Sequence, residues 1–189
     1  MTASFRLTLG LLSALALTAC GDPAARYLLE PPTAQERMRL PVSTIELREV
    51  TLPVYASGSE IMLQGEDGAL RPSDNAVWAD DQVRAVTLSL ARDIEAVSTA
   101  TAAAEPWPLI DSPQVRVEVR IDRMVAQTDG VFRMSGQFAI ASPGGAVRET
   151  LNRFDIAQPM AAGTPTAIAD ATSAAITTLA RQIANRLSR

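Results

Sequence analysis

The chain has no lysine and no histidine, and its single cysteine is Cys20. Each absence removes a class of chemistry. A Ser-His-Asp or Cys-His nucleophile has no base, a zinc site of histidines and cysteines has no ligands, and a phosphate-cradling loop ending in Gly-Lys has no lysine. Aromatic residues make up only 4% of the chain, and the arginines are dispersed through a sequence of net charge −4. That combination lacks the basic stripe and stacking platform that nucleic acid requires. Paired carboxylates remain available for acid–base work, but no local pair stands out. Asp80-Asp81 reads instead as charge in the first turn of a helix, where the macrodipole favours it. Composition therefore leaves little for catalysis, and no metal or cofactor is expected.

Long apolar runs are also scarce. One stands out, from Leu7 to Leu17, broken by Gly10 and ending at Leu17-Thr18-Ala19-Cys20. It is too short to cross a membrane as a helix, which takes about 20 residues, and suits the core of an export signal. Its end resembles a bacterial lipobox: a branched apolar residue, two small residues that fit a peptidase cleft, and a cysteine whose thiol becomes a thioether to diacylglycerol. The plainer readings are a secretory leader cut after Ala19 or a buried free cysteine. A lone thiol in an exported chain forms no internal disulfide, which favours lipidation. The resulting division is a signal peptide at 1–19, a lipidated tether at 20–25 and one domain at 26–189. Gly21, rather than Asp, follows the cysteine. Aspartate there is the familiar inner-membrane retention signal of enterobacteria, so the expected location is the periplasmic face of the outer membrane.

The rest of the chain alternates strands and helices. Arg26 to Leu29 reads as a short strand ended by Glu30-Pro31-Pro32, and Thr33 to Pro41 as a loop. In the segment from Ile45 to Val54 the apolar phase slips by one, which predicts a β-bulge near Arg48-Glu49. Glu60 to Gln64 is a strand, Glu66-Asp67-Gly68 a turn, and Ala69 to Arg71 its return. Ser73-Asp74-Asn75 offers cap chemistry for a helix within residues 75–98. Its apolar stripe is Val83, Val86, Leu90, Ile94 and Val97, with Trp78 in the first turns. The alanine-rich stretch to Glu105 and Pro106-Trp107-Pro108 read as a connecting loop.

Val115, Val117, Val119 and Ile121 alternate with Arg116, Glu118, Arg120 and Asp122, the pattern of a half-buried strand. Phe132, Met134, Phe138 and Ile140 alternate again with Gly136 in register, and Val147 to Ile156 returns as a third strand. Thr164-Pro165 opens a last helix whose stripe runs through Ile168, Thr172, Ala175, Ile176, Leu179, Ile183 and Leu187. The predicted fold is α+β: a two-layer sandwich with a mostly antiparallel sheet, a three-strand meander and two amphipathic helices on one face.

The order of these elements, with Tyr27-Leu28-Leu29 soon after the lipobox, a strand ending Leu52-Pro53, a helix-leading Trp78 and an alanine-rich C-terminal helix, resembles the ABC-type transport auxiliary lipoproteins, the paraquat-inducible protein C group. The segment from Val54 to Glu60 departs from that pattern. The resemblance implies a lipoprotein auxiliary to a lipid transport system between inner and outer membranes. Its implied partners are a periplasmic mammalian-cell-entry (MCE) protein and an ABC permease or other integral membrane component. A homo-oligomeric ring at the tip of a conduit is compatible with that role. Three aromatic residues are candidates for the interface: Tyr55, Trp78 (which also suits the core between sheet and helix) and Trp107. The alternative is a stand-alone periplasmic lipoprotein that binds lipid or a small ligand, and that reading requires an enclosed apolar cavity.

Overall fold

A computed structural model describes residues 23–31 and 36–189. The segment read as a signal peptide, Cys20, most of the stretch read as a tether and the start of the loop expected at 33–41 lie outside the described residues. The described chain contains eight strands, β1 (Ala25–Tyr27), β2 (Thr44–Leu47), β3 (Glu60–Gln64), β4 (Leu70–Trp78), β5 (Thr101–Ala104), β6 (Val115–Gln127), β7 (Val131–Ala141) and β8 (Thr150–Pro159). Two long helices, α1 (Gln82–Val97) and α2 (Pro165–Leu187), complete the layers.

The meander was legible and is present. β6, β7 and β8 pair antiparallel in sequence order. Val115, Val117, Val119 and Ile121 of β6, with Phe132, Met134, Phe138 and Ile140 of β7, are buried, and Arg116, Glu118 and Arg120 point to solvent. The rest of the sheet corrects the prediction. It is mixed and strongly curled, not the mostly antiparallel two-layer sandwich expected, and β1–β4, β2–β5, β2–β6 and β3–β6 are parallel pairs. β6 explains the shape. β7 lines one edge of it, while the other edge takes β2 near its start, at Val115 to Val117, and β3 at its end, at Ala126 and Gln127. Thr51 bridges Arg120 between them. The sheet therefore forks at β6, one branch running through β2 to β5 and the other through β3 and β4 to β1. Parallel partners are far apart in sequence, and alternation within a strand carries no trace of them.

The phase slip at Arg48-Glu49 is real, but β2 ends there instead of bulging. Both residues are exposed, and Val50 is buried with its N–H donating to Thr87 Oγ1 at 3.0 Å. The ladder resumes at Thr51, whose N–H donates to the Val119 carbonyl at 3.1 Å. Val54, expected on the apolar phase, is 90% exposed at the start of a short 3₁₀ turn, Val54–Ala56.

Two further readings are corrected by tertiary pairing. Ser73-Asp74-Asn75 does not cap a helix; it lies within β4, which extends the predicted return to Trp78 and is held between β1 and β3. The cap is Asp81, whose carboxylate accepts from the Arg84 N–H at 2.9 Å, so Asp80-Asp81 precede the first turn rather than occupying it. The stretch Thr101–Ala104, read as loop, is a strand parallel to β2. Alanine has low strand propensity, but here β5 pairs with β2 and packs against α1, and Ala102 is buried. At the last helix the start agrees with expectation: Thr164 Oγ1 accepts from the Ala167 N–H, and Pro165 occupies the first turn.

α1 and α2 pack on each other and on the buried face of the sheet, around Ile45, Leu47, Leu90, Ile94, Ile176, Leu179 and Ile183, which exclude water almost completely. Each such side chain contributes roughly 1.5–3 kcal/mol by leaving water. Gly136 lies opposite Ile121, where β6 shifts register. A Cβ at this position would collide with the Arg120 carbonyl oxygen and lie 3.0 Å from Ile121 Cα.

A polar seam ties the N-terminal segment to the helix layer. Asp93, 1% exposed, accepts from Thr177 Oγ1 at 2.7 Å and from Arg92 Nε at 3.3 Å. Arg92 Nη2 also donates to the Glu30 carbonyl at 3.2 Å, and the Glu30 N–H donates to Ser173 Oγ at 3.1 Å. Burial raises the Asp93 pKa, against the opposing pull of Thr177 and Arg92. The folded state then holds this proton more tightly than the unfolded chain does. The stability cost of ionised Asp93 is full above the raised pKa and fades as pH falls toward the ordinary carboxylate value. Asp93→Asn keeps an acceptor for Thr177 and removes the charge. Its urea midpoint relative to the parent should be more favourable at pH 7.5 than at pH 4, and an equal difference at both would contradict the assignment.

Candidate docking surface

The three aromatic candidates separate into two places. Tyr55 sits half-buried on the 3₁₀ turn, and its hydroxyl accepts from the Met124 N–H at 3.0 Å, just past the register shift of β6. It satisfies a backbone donor where that strand is irregular. Trp78, at the end of β4, is 7% exposed and belongs to the core. The two residues share a small pocket of ≈ 20 Å³ with Met62, Met124 and Phe132, room for about one water. Gln82, at the start of α1, also lines this pocket; it is 1% exposed, and its Oε1 has no partner among the described residues.

Trp107 lies apart, in the loop between β5 and β6. Its indole N–H donates to the Asp111 carbonyl at 2.7 Å, so the ring braces its own loop. The base of the loop is fixed by Glu105, which accepts from the Glu49 N–H at 2.8 Å and pairs with Arg48 at 2.5 Å. Between these two clamps Leu109 is 53% exposed and Ile110 is fully exposed. Sequence reasoning stopped at Trp107 and missed these two. The available signal was a pair of large apolar residues in a proline-bounded stretch, Pro108 to Pro113, that no strand or helix periodicity absorbs. A braced loop presenting apolar side chains loses little conformational freedom on docking, which favours binding.

The open face of the sheet has a different character. Arg116 pairs with Glu46 at 2.8 Å and Arg120 with Glu118 at 2.6 Å, so its charges are largely matched in place. Among the described residues no helix is long and apolar enough to cross a membrane.

The model of one protein family, described as the ABC-type transport auxiliary lipoprotein component, matches residues 27–184, from β1 to the last turn of α2. The chain belongs to this family. Membership makes the protein an auxiliary lipoprotein associated with an ABC-type transport system, implies a membrane-anchored periplasmic location, and points to a role without catalysis. Two solved structures share the fold of this auxiliary lipoprotein. One, described only as an uncharacterized protein, has a TM-score of 0.71 at 15% identity, covering 88% of this chain and 100% of its own. The other, a protein from Xanthomonas campestris assigned to DUF330, has a TM-score of 0.60 at 16% identity, covering 85% and 90%. A comparison with curated proteins finds no match.

Proposed function

We propose that this auxiliary lipoprotein is anchored in the outer membrane through Cys20 and acts in the periplasm as a non-enzymatic adaptor of an MCE and ABC-type lipid transport system linking the two membranes. The observation that carries the reading is the family match across 27–184, the whole folded domain. The lipobox at Leu17 to Cys20 supports the anchor, and Gly21 in place of Asp supports the outer membrane. The mechanism is binding. Acyl chains fix the domain to one bilayer, and a surface patch holds the MCE partner.

The Trp107 loop is the best-formed patch for that contact. Interface energy concentrates in a few large side chains on a pre-shaped surface. Ile110→Asp places a charge where the native side chain is fully exposed, so the melting temperature should stay within about 2 °C of the parent. Recovery of the MCE protein with the affinity-tagged lipoprotein, after mild solubilisation, should fall about tenfold or more. Recovery of the lipoprotein alone, from cells that also express an MCE protein and its permease, would overturn the adaptor reading. Retention of the partner by Ile110→Asp would overturn only the assignment of the loop.

A stand-alone carrier needs an enclosed apolar cavity of about 300 Å³ or more. The pocket beside Trp78 holds ≈ 20 Å³, and the depression of ≈ 280 Å³ at the end of α2 is rimmed by arginines rather than enclosed by apolar side chains. The depression at Gln64, Glu66 and Asp129, of ≈ 410 Å³, is open and polar. The adaptor reading fits this packing better.

A further inference from the structure

A second depression, of ≈ 280 Å³, lies where the end of α2 meets the β7–β8 turn. Its rim carries Arg148, Arg186 and Arg189, and its apolar side is formed by Ile140, Val147 and Leu187. No carboxylate side chain lines it. Among the described residues none of these arginines forms a salt bridge, as is also true of Arg26, Arg37, Arg39, Arg123, Arg153 and Arg181, but these three are gathered at one depression. Arg186 adds a sharper signal. Its Nε is shielded from solvent and has no acceptor. A buried N–H on a charged group without an acceptor is costly, and the cost is greater for a guanidinium than for a neutral donor. An oxyanion at the rim would meet the guanidinium of this under-satisfied arginine, and Arg is the side chain suited to planar, bidentate contact with phosphate.

We propose that this depression binds the phosphate headgroup of an anionic amphiphile, with Arg186 and Arg148 on the phosphate and the first carbons of the acyl chains against Val147, Ile140 and Leu187. The charge calls for an anion, and the apolar side for an anion with a hydrocarbon body. The depression is open, so the headgroup is held while the tails remain outside. The proposal goes beyond the adaptor role, which requires no ligand on this domain.

The test is calorimetric titration of the purified lipoprotein in a non-ionic detergent with dihexanoyl-phosphatidylglycerol, inorganic phosphate and hexanoate in turn. The short-chain lipid should bind at least tenfold more tightly than phosphate or hexanoate, and more weakly as salt is raised. Arg186→Gln and Arg148→Gln should each lower that affinity at least tenfold. Heat shared by parent and variants belongs to the micelle. Arg148 is exposed on the turn, so its variant remains informative if Arg186→Gln fails to fold. Phosphate binding as tightly as the lipid would overturn the amphiphile in favour of a free oxyanion. Titrations identical for parent and variants would overturn the site. The MCE recovery experiment is independent: a silent titration with the partner still recovered removes this site and leaves the adaptor standing.

Discussion

Gly136→Val is expected to lower the melting temperature by about 10 °C or more, the largest effect of any single substitution considered. The reason is local and involves backbone. β7 passes β6 at the shift in register between Ile121 and Arg123, and Gly136 faces that irregularity. Any Cβ there meets the Arg120 carbonyl oxygen and Ile121 Cα, neither of which can rotate away as a flexible side chain would. Relief requires the two central strands to separate locally. Overpacking typically costs about 1–3 kcal/mol, more where rigid atoms collide, and about 3 kcal/mol is a large fraction of a stability of about 5–15 kcal/mol. In a domain of this size each kcal/mol moves the midpoint by about 2–4 °C. Gly136→Ala should show much of the effect, since the collision begins at Cβ. Gly144→Ala is the control: nothing lies within 4 Å of its added carbon, and it should melt within about 2 °C of the parent. Circular dichroism melts of the three variants decide the matter, and a Gly136→Ala protein that melts like its parent would remove the steric argument.

Cys20→Ser should shift the protein from almost wholly membrane-bound to almost wholly soluble, with the domain still folded. Hydrocarbon burial contributes about 0.8 kcal/mol per CH₂, so a single acyl chain holds a protein only marginally and two or more hold it firmly. No helix among the described residues offers a second means of spanning the bilayer. Folding should be indifferent to the change, because the first ladder contact is Ala25 with Ala76, downstream of the cysteine. Fractionation of cells lacking the partner proteins, followed by immunoblotting, gives the answer. A serine variant that remains with the membrane there would disprove the lipobox reading.

What could be read from the sequence divides along a physical line. α2 was legible because Thr164, Pro165 and the stripe from Ile168 to Leu187 are local signals, and the β6–β7 alternation is local too. Non-local contacts were hidden. β5 consists of Thr and three alanines that form a strand only through pairing with the distant β2. Residues 73–75 carry cap chemistry but are pulled into β4 by partners on both sides. The functional surfaces follow the same rule. Trp107 was visible as an aromatic between prolines, but Leu109 and Ile110 stand out only once the loop is seen braced at both ends. The arginine-rimmed depression draws on the β7–β8 turn and the end of α2, which no motif connects.

The forked edge of β6 also governs the order in which the molecule can be completed. β2 and β3 wait for a strand that begins at Val115, well after both of them in the chain. A polypeptide crossing a membrane amino end first delivers β1 through β5 before that strand emerges. Until then β2 and β3 have bare edges that invite wrong pairings. The meander from β6 to β8 can zip locally as it arrives, whereas the two earlier branches must close long loops to dock on it. The amino-terminal half therefore keeps unpaired strand edges until β6 is available, and its two branches complete only after the meander begins.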